Sequence, residues 1–271
     1  MSQIGRRVHA KESIPVAVCL AGFSPAVVTE TLYALAVQNR PRIIPKRVII
    51  LTTEDACLQI ISSLCGPKGA IRRLAAEYGL PEESMICNSS DVIVLRSRTG
   101  KPLRDIRSSK DSIDAGEAIA ELLDKLNSDP NVELHCSIAG GRKTMGALLA
   151  LALQLCARPG DRLYHVLVNE PFERIPEFFY PTRKPCVYFL DGRRIDSRKA
   201  HIDLAEIPLV RLGDVAESLG LERGDLARRA KAIEIALNEK IQRHCVVLEI
   251  PHRLVKVGDI EVRLPPQEFA L

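Results

Sequence analysis

The sequence predicts an α/β fold in which a mostly parallel sheet is flanked by helices. Five short apolar segments alternate along the chain with longer segments of helical periodicity. Such alternation implies right-handed crossover connections, which make consecutive strands parallel. The resulting sheet is Rossmann-like. Its expected strands span residues 14–21, 47–51, 91–95, 132–138 and 162–168.

The first expected strand is an apolar run rich in β-branched residues, which is typical of a strand buried on both faces. The turn at residues 22–25 follows it directly. Pro25 suits the first position of a helix, and Ser24 suits the N-cap before it. We therefore expect the first helix to begin at this turn and to continue to about residue 38.

The second and third strands lead into a helical segment and a long loop, respectively. Residues 52–55, Thr-Thr-Glu-Asp, are typical of a helix cap and an acidic first turn, and the helical pattern after them is broken at residues 66–67. Residues 96–110 are polar, basic and aperiodic, which predicts a loop. Asp111 or Ser112 is expected to cap the helix that follows.

The fourth strand is followed by a glycine-rich turn at residues 139–144. The helix expected after it, residues 145–156, is so apolar that it should be buried on most sides. The fifth strand comes next and completes the predicted sheet.

After residue 169 the pattern changes, and proline and aromatic residues become frequent. Two short strand-like segments joined by Asp191 and Gly192 predict a hairpin. Residues 212–240 are helical and heavily charged, and residues 245–264 predict two further short strands. The chain is therefore expected to divide into a tail (1–13), a Rossmann-like domain (14–200) and a helical and β appendage (201–271).

Composition narrows the class of protein. The chain has 271 residues, of which 46% are hydrophobic and 27% charged, so it can bury a substantial core. Its net charge of +4 does not favour binding to duplex DNA, but it suits an anionic ligand held in a local basic pocket. No apolar run is long enough to cross a membrane, and no signal peptide begins the chain, so a cytoplasmic location is expected.

The eight cysteines do not predict a metal site or a disulfide framework. They form no CxxC pair, and no cluster of cysteine and histidine has the spacing of zinc ligands. We expect them to be reduced thiols that behave as small hydrophobic residues. Acidic residues do not cluster at the strand ends as two-metal nuclease centres require. No metal or cofactor is expected.

The strongest candidate site lies where the first and fourth strands end. In the commonest Rossmann order these two strands are neighbours, and ligands bind in the crevice beyond their carboxyl ends. Gly140 and Gly141 allow the backbone to approach a ligand closely, and the next helix offers free N–H groups. Arg142 and Lys143 add positive charge, and Thr144 adds a hydroxyl group. This combination predicts an anion site, most naturally for phosphate.

Other residues near this edge leave alternatives open. Ser24 either caps the first helix or directs its hydroxyl group into the crevice. Thr52 and Thr53 either cap the second helix or line the same edge, and Asn169 follows the fifth strand in an equivalent position. The basic loop that contains Arg107 is either a solvated surface or a lid over an anion.

Several familiar motifs are missing from this site. The turn lacks the second glycine of a Walker loop, and there is no GxGxxG motif, which disfavours a nicotinamide- or flavin-dependent oxidoreductase. The surroundings of Ser24 are not GxSxG, so a serine-hydrolase triad is not supported. The residues alone do not choose among phosphorylated ligands.

Two longer motifs resemble those of CRISPR-associated Rossmann-fold (CARF) proteins. They are residues 22–32, GFSPAVVTETL, and residues 137–145, SIAGGRKTM. Residues 105–107, 165–168 and 177–181 further resemble a CARF subfamily that is associated with type III CRISPR systems and linked to ring nucleases. The resemblance extends from about residue 14 to residue 185. Phe23 departs from it, because many relatives carry a small polar residue at that position.

The resemblance implies a homodimer in which two copies of the crevice face each other across a two-fold axis. The implied ligand is a cyclic oligoadenylate, most often the tetra-adenylate, and ring nucleases linearise it to switch off the antiviral signal. Their usual chemistry needs no metal, because the ribose 2′-OH attacks the adjacent phosphate and leaves a 2′,3′-cyclic phosphate end.

The resemblance also assigns roles to the residues named above. Lys143 and Arg142 would stabilise charge on the phosphate, and Ser24 would orient the 2′-OH or bind the phosphate. The full set of expected ligand contacts is Gly22, Phe23, Ser24, Pro25, Thr52, Thr53, Arg107, Gly140, Gly141, Arg142, Lys143, Thr144 and Asn169.

The alternative is a CARF sensor that binds the same ligand without cutting it and regulates a partner or transcription. Residues 212–229 bear on this alternative, because they either resemble a helix-turn-helix faintly or form a charged packing helix. Residues 264–271 look like the opening of a further helical module, so we expect the chain to be shortened relative to a natural protein.

Overall fold

A computed structural model describes residues 13–221, 225–242, 246–257, 260–263 and 265 of the chain. The chain divides into two compact units, Met1–Asp214 and Val215–Leu271. Nearly all of the expected tail and of the segment 264–271 lies outside the described residues. No helix in the described ranges is both long and apolar enough to cross a membrane.

The first unit is built on a six-stranded sheet with the order β3-β2-β1-β4-β5-β8. Its first five strands are parallel to their neighbours, and β8 runs antiparallel to β5. A separate hairpin pairs β6 with β7. The strands are β1 (Ile14–Leu20), β2 (Arg47–Thr52), β3 (Val92–Val94), β4 (Val132–Ser137), β5 (Arg162–Val168), β6 (Val187–Leu190), β7 (Arg193–Asp196) and β8 (Ile202–Ile207).

Helices cover the sheet, because both faces of its central strands are apolar. Ala17 and Cys19 of β1 pack in a buried cluster with side chains from the first three helices. Val16, Val18 and Leu20 point to the opposite face and are also buried. The helices described are α1 (Ala26–Tyr33, continued by a π-turn over Ala34–Gln38), α2 (Glu54–Leu64), α3 (Ala70–Tyr78), α4 (Ser109–Leu126), α5 (Lys143–Cys156), α6 (Gly213–Ser218) and α7 (Leu226–Gln242).

The predicted fold class is confirmed. All five expected strands are present and parallel, and β1 and β4 are neighbours as the Rossmann order requires. The hairpin at Asp191 and Gly192 is also confirmed. Of the described cysteines, Cys19, Cys87 and Cys136 are buried, whereas Cys57, Cys65 and two others are only half-buried.

Strand β8 was not predicted. It lies in the segment that the sequence analysis assigned to the appendage, yet it pairs with β5 along its full length. The first unit consequently extends past residue 200, to Asp214. The strand escapes sequence analysis because it is a largely exposed edge strand with little apolar patterning.

Two predictions about helix caps were wrong. Helix α4 is capped by Ser108, because the Ser108 hydroxyl accepts the Asp111 N–H and the Asp111 carboxylate accepts the Ser108 N–H. Pro25, not Ser24, occupies the N-cap of α1. Helix α5 is buried on most sides over residues 145–156, as expected, and Ala147 and Leu151 are its exposed residues there.

The second unit combines helix and sheet. It holds most of α6, then α7, and an antiparallel sheet of three strands where two were expected: β9 (Val246–Glu249), β10 (Leu254–Val257) and β11 (Ile260–Arg263). Helices α6 and α7 are separate, and Gly220 between them has a positive φ of 61°. A small α+β appendage is therefore present.

Candidate anion-binding site

The turns that follow β1 and β4 lie against each other at the carboxyl edge of the sheet. The two strands pair in parallel up to Cys19 and Ser137, so both turns leave the sheet at the same level. A Cβ atom placed on Gly22 would lie 3.4 Å from the Cα of Gly141. The predicted juxtaposition of the two turns is thus observed, at backbone contact distance.

Glycine is required at two positions of the second turn. A Cβ atom on Gly140 would lie 2.3 Å from the carbonyl oxygen of Leu20, which no side chain tolerates. Gly141 has a φ of 74°, in the left-handed region that favours glycine. The turn can therefore pack directly on the end of β1.

A small cavity of about 160 Å³ lies at this junction. The N-terminus of α5 borders it, and a helix N-terminus carries free N–H groups and a positive dipole end. The lining residues come from both turns, the N-cap of α2, the loop after β3 and the first turn of α5: Ala21, Gly22, Phe23, Thr53, Asp105, Gly141, Arg142 and Met145.

Arg142 occupies the N-cap of α5 and forms a bidentate ion pair with Asp105. Its Nε donates to Asp105 Oδ1 at 2.8 Å, and its Nη2 donates to Asp105 Oδ2. Arg107 Nε also donates to Oδ2, at 2.9 Å. Hydrogen bonds from Arg142, and then from Arg107 and the Ile106 N–H, hold the pKa of Asp105 well below its usual range. The carboxylate is therefore charged throughout the physiological range of pH.

The loop after β3 is fixed over the same edge of the sheet. The backbone N–H groups of Glu54 and Asp55 donate to the carbonyl oxygens of Leu103 and Arg104. A second cavity, of about 570 Å³, lies beside this loop, and Asp105 lines both cavities. The basic side chains around the larger cavity are Lys101, Arg104, Arg107 and Lys110.

Four predicted site residues present exposed side chains near the crevice. Phe23 is 65% exposed, and the Gln59 side chain donates to its carbonyl oxygen at 3.1 Å. Ser24 is exposed, and its hydroxyl group has no hydrogen-bond partner among the described residues. Lys143 and Thr144 begin α5 and are exposed, and within the described ranges Lys143 forms no ion pair.

The remaining predicted contacts are placed differently. Thr53 lines the small cavity, but Thr52 is fully buried and its hydroxyl group donates to the Thr53 carbonyl at 3.4 Å. Pro25 is buried beneath its turn. The side-chain oxygen of Asn169 accepts a hydrogen bond from the His201 N–H, and the backbone N–H of Asn169 donates to the His201 carbonyl oxygen. Asn169 therefore joins the end of β5 to the start of β8.

Asp105 is the site residue that the sequence analysis did not single out as a ligand or catalytic group. The available signal was its position, since it is the one acidic residue in the basic segment 96–110. Its partnership with Arg142 joins two segments 37 residues apart, so only the folded chain displays it.

Comparison with known proteins identifies the family. The model of the family described as CRISPR-associated protein NE0113 matches residues 24–236, which is most of the chain. The chain belongs to the NE0113 family. The match takes in Ser24, the loop with Asp105, and the whole turn that carries Gly140 to Lys143.

Beyond the NE0113 family, the comparisons are distant. No curated protein matches the chain. Among solved structures, it is similar to Enterococcus italicus Csm6 bound to cyclic hexa-2′-fluoro-hexa-dAMP, at 13% identity and a TM-score of 0.36. The similarity covers 57% of this chain and 34% of the Csm6 chain, so it spans about a third of that protein's length. A likeness this distant does not establish a shared ligand.

Proposed function

We propose that this NE0113-family protein is a ring nuclease of type III CRISPR signalling. It binds a cyclic oligoadenylate, with cyclic tetra-adenylate favoured, and cleaves it to linear products with 2′,3′-cyclic phosphate ends. The observation that carries the proposal is the junction of the two turns, where Arg142 and the N-terminus of α5, which begins at Lys143, border a cavity at the sheet edge. The CRISPR-associated family and the resemblance of both turns to CARF motifs support it.

The proposed chemistry uses a nucleophile supplied by the ligand. The ribose 2′-OH attacks the neighbouring phosphorus and loses its proton to solvent, the P–O5′ bond breaks, and the 5′-oxygen takes up a proton from solvent. A rigid pocket favours the in-line geometry that this attack needs. Lys143 and Arg142 stabilise the negative charge that grows on the phosphate. Ser24 has an exposed hydroxyl group and so can orient the 2′-OH.

A homodimer completes the proposed site. The small cavity has a volume of about 160 Å³, which is below the size of ordinary ligand pockets. It can hold only part of a cyclic oligoadenylate. A two-fold axis would bring two such cavities to a ligand with two-fold symmetry. Exposed apolar side chains on neighbouring helices, Ile113 of α4 and Ala147 and Leu151 of α5, support a contact between two copies.

We assign the exposed ring of Phe23 to stacking on an adenine base, because aromatic faces bind bases in this way. The chain contains no tryptophan, so Phe23→Trp introduces a single tryptophan at the crevice, whose emission is excited selectively over that of the tyrosines. Cyclic tetra-adenylate is expected to quench this fluorescence. Phe189→Trp is the matched control, since Phe189 is 76% exposed on β6, outside the site, and should not respond. Equal responses from both variants would contradict the assignment.

Product analysis tests the activity directly. Purified protein incubated with cyclic tetra-adenylate and EDTA is expected to yield linear di-adenylate with a 2′,3′-cyclic phosphate end, detected by mass spectrometry. EDTA is present because the proposed chemistry requires no metal. Intact ligand after long incubation with excess protein would reject the ring nuclease.

A sensor is the second candidate, and the second unit favours it. Val215–Leu271 forms a compact unit of its own, with α7 and a three-stranded sheet, as an output module would. A sensor binds cyclic tetra-adenylate tightly and returns it uncut. The product analysis, combined with a binding titration, separates the two candidates.

A further inference from the structure

Asp105 receives more hydrogen bonds than any single ion pair requires. Its two carboxylate oxygens accept from Arg142 Nε, Arg142 Nη2, Arg107 Nε and the Ile106 N–H. One carboxylate thus holds two guanidinium groups whose residues lie on different segments, one in the loop after β3 and one at the start of α5.

Asp105 is much less exposed to solvent than the two arginines that it binds, Arg107 and Arg142. The Asp105 side chain is only 13% exposed, whereas those of Arg142 and Arg107 are 52% and 78% exposed. The negative charge is therefore shielded, and the positive groups face solvent. An arrangement with the opposite exposures would present a carboxylate and repel an anion.

The two guanidinium groups keep donors for a ligand. Arg142 uses Nε and Nη2 on Asp105, while its Nη1 has no acceptor among the described residues. Arg107 uses Nε alone, and within the same described part of the chain neither of its Nη atoms has an acceptor. A guanidinium group has five N–H donors in a fixed plane, so fixing one edge orients the other.

The backbone on both sides of Asp105 is also fixed. Leu103 and Arg104 accept hydrogen bonds from the N-terminus of α2, and the Arg107 N–H donates to Asp111 in the cap of α4. The carboxylate is therefore a rigid point from which the two arginines are aimed.

We propose that Asp105 is a positioning residue that joins Arg107 and Arg142 into one binding unit for a phosphate of the ligand. The identity of that ligand as a cyclic oligoadenylate rests on the proposed function. The unit carries a net charge of +1, since one carboxylate is shared by two guanidinium groups. Its value to the site lies in the fixed geometry of the donors.

The proposal predicts the opposite of a simple charge argument. Asp105→Asn removes a negative charge beside an anion site, which by Coulomb attraction alone would tighten binding. If Asp105 aims the two arginines, the same change frees both and weakens binding of cyclic tetra-adenylate by about tenfold. Isothermal titration calorimetry measures the sign, and Asp105→Glu is expected to recover part of the affinity.

A double-mutant cycle measures the energetic coupling between Asp105 and Arg142 in ligand binding. A merely structural role of Asp105 would not produce this coupling. The double variant, which carries both Asp105→Asn and Arg142→Ala, is compared with the Arg142→Ala single variant. Its affinity is expected to be lower by no more than about twofold. Asp55→Asn is the matched control, because Asp55 pairs with Arg104 of the same loop at 3.4 Å, and should leave binding unchanged.

Three results overturn the proposal: tighter binding by the Asp105→Asn variant, fully multiplicative losses in the cycle, or an equal loss from Asp55→Asn. Thermal unfolding of each variant establishes that it is folded. If the wild-type protein does not bind cyclic tetra-adenylate, the proposed function fails, and the cycle is repeated with inorganic pyrophosphate. The same non-additivity between Asp105 and Arg142 is then expected, and its absence rejects the binding unit.

Discussion

Replacing Lys143 with alanine is expected to slow cleavage of cyclic tetra-adenylate by on the order of 10²–10³-fold. Lys143 is the first residue of α5, is exposed, and within the described residues forms no ion pair, so its ammonium group can move onto a ligand phosphate. Charge on that phosphate increases as the 2′-oxygen attacks. The lysine is therefore expected to stabilise the transition state more than the bound ligand.

Binding by the same variant is expected to weaken by less than about tenfold, because the dipole of α5 and Arg142 still attract the phosphate. Single-turnover cleavage measures the rate, and calorimetry measures the affinity. Lys125→Ala is the control, since Lys125 is an exposed lysine in the last turn of α4. Equal losses of rate and affinity in the Lys143 variant would make Lys143 a binding residue only.

The parts of the fold that the sequence predicted are those determined by local pattern. Strands β1, β2 and β4 carry runs of buried residues, and such runs are visible without knowledge of their neighbours. The adjacency of β1 and β4 followed from strand–helix alternation, because few topologies satisfy right-handed crossovers. The sequence alone therefore predicts that the two turns of the site lie together.

The parts that escaped prediction depend on tertiary contacts. Strand β8 is a strand because β5 offers it an edge, and its own residues are mostly exposed. Asp105 is half-buried and paired with both Arg142 and Arg107, which a count of charges along the loop does not reveal. Serine is a preferred N-cap residue, but Pro25 occupies the N-cap of α1, and the Ser24 hydroxyl group has no hydrogen-bond partner in the part of the chain that the structure describes.

The same contrast separates the predicted contacts of the site. Thr52 and Thr53 are adjacent and chemically identical, so sequence gave no reason to prefer one. Thr52 is the last residue of β2 and is fully enclosed, whereas Thr53 is the N-cap of α2 and lines the cavity. Asn169 follows β5 as expected, but the pairing of β5 with the unpredicted β8 engages its amide group.

The contact between the two turns is expected to fail when Gly140 is replaced by alanine. The new Cβ atom would lie 2.3 Å from the Leu20 carbonyl oxygen and 3.0 Å from the Ala21 Cα, and both are backbone atoms that cannot rotate away. Either β1 or the turn must shift, at a cost of about 2–4 kcal/mol in the free energy of unfolding. For a protein of this size, that lowers the Tm by roughly 5–15 °C.

Gly146→Ala is the matched control for this change. Gly146 lies within α5, and its added Cβ atom would meet Ile138 at an ordinary distance of 3.5 Å. Because alanine favours helix over glycine, this variant should be as stable as the wild type or slightly more so. Calorimetric unfolding of both variants measures the difference. If the Gly140→Ala variant keeps its Tm but no longer binds cyclic tetra-adenylate, the substitution acts only by obstructing the ligand's approach to the turn. If it kept both, the turns would not be in contact, and a single anion site built from them would have to be abandoned.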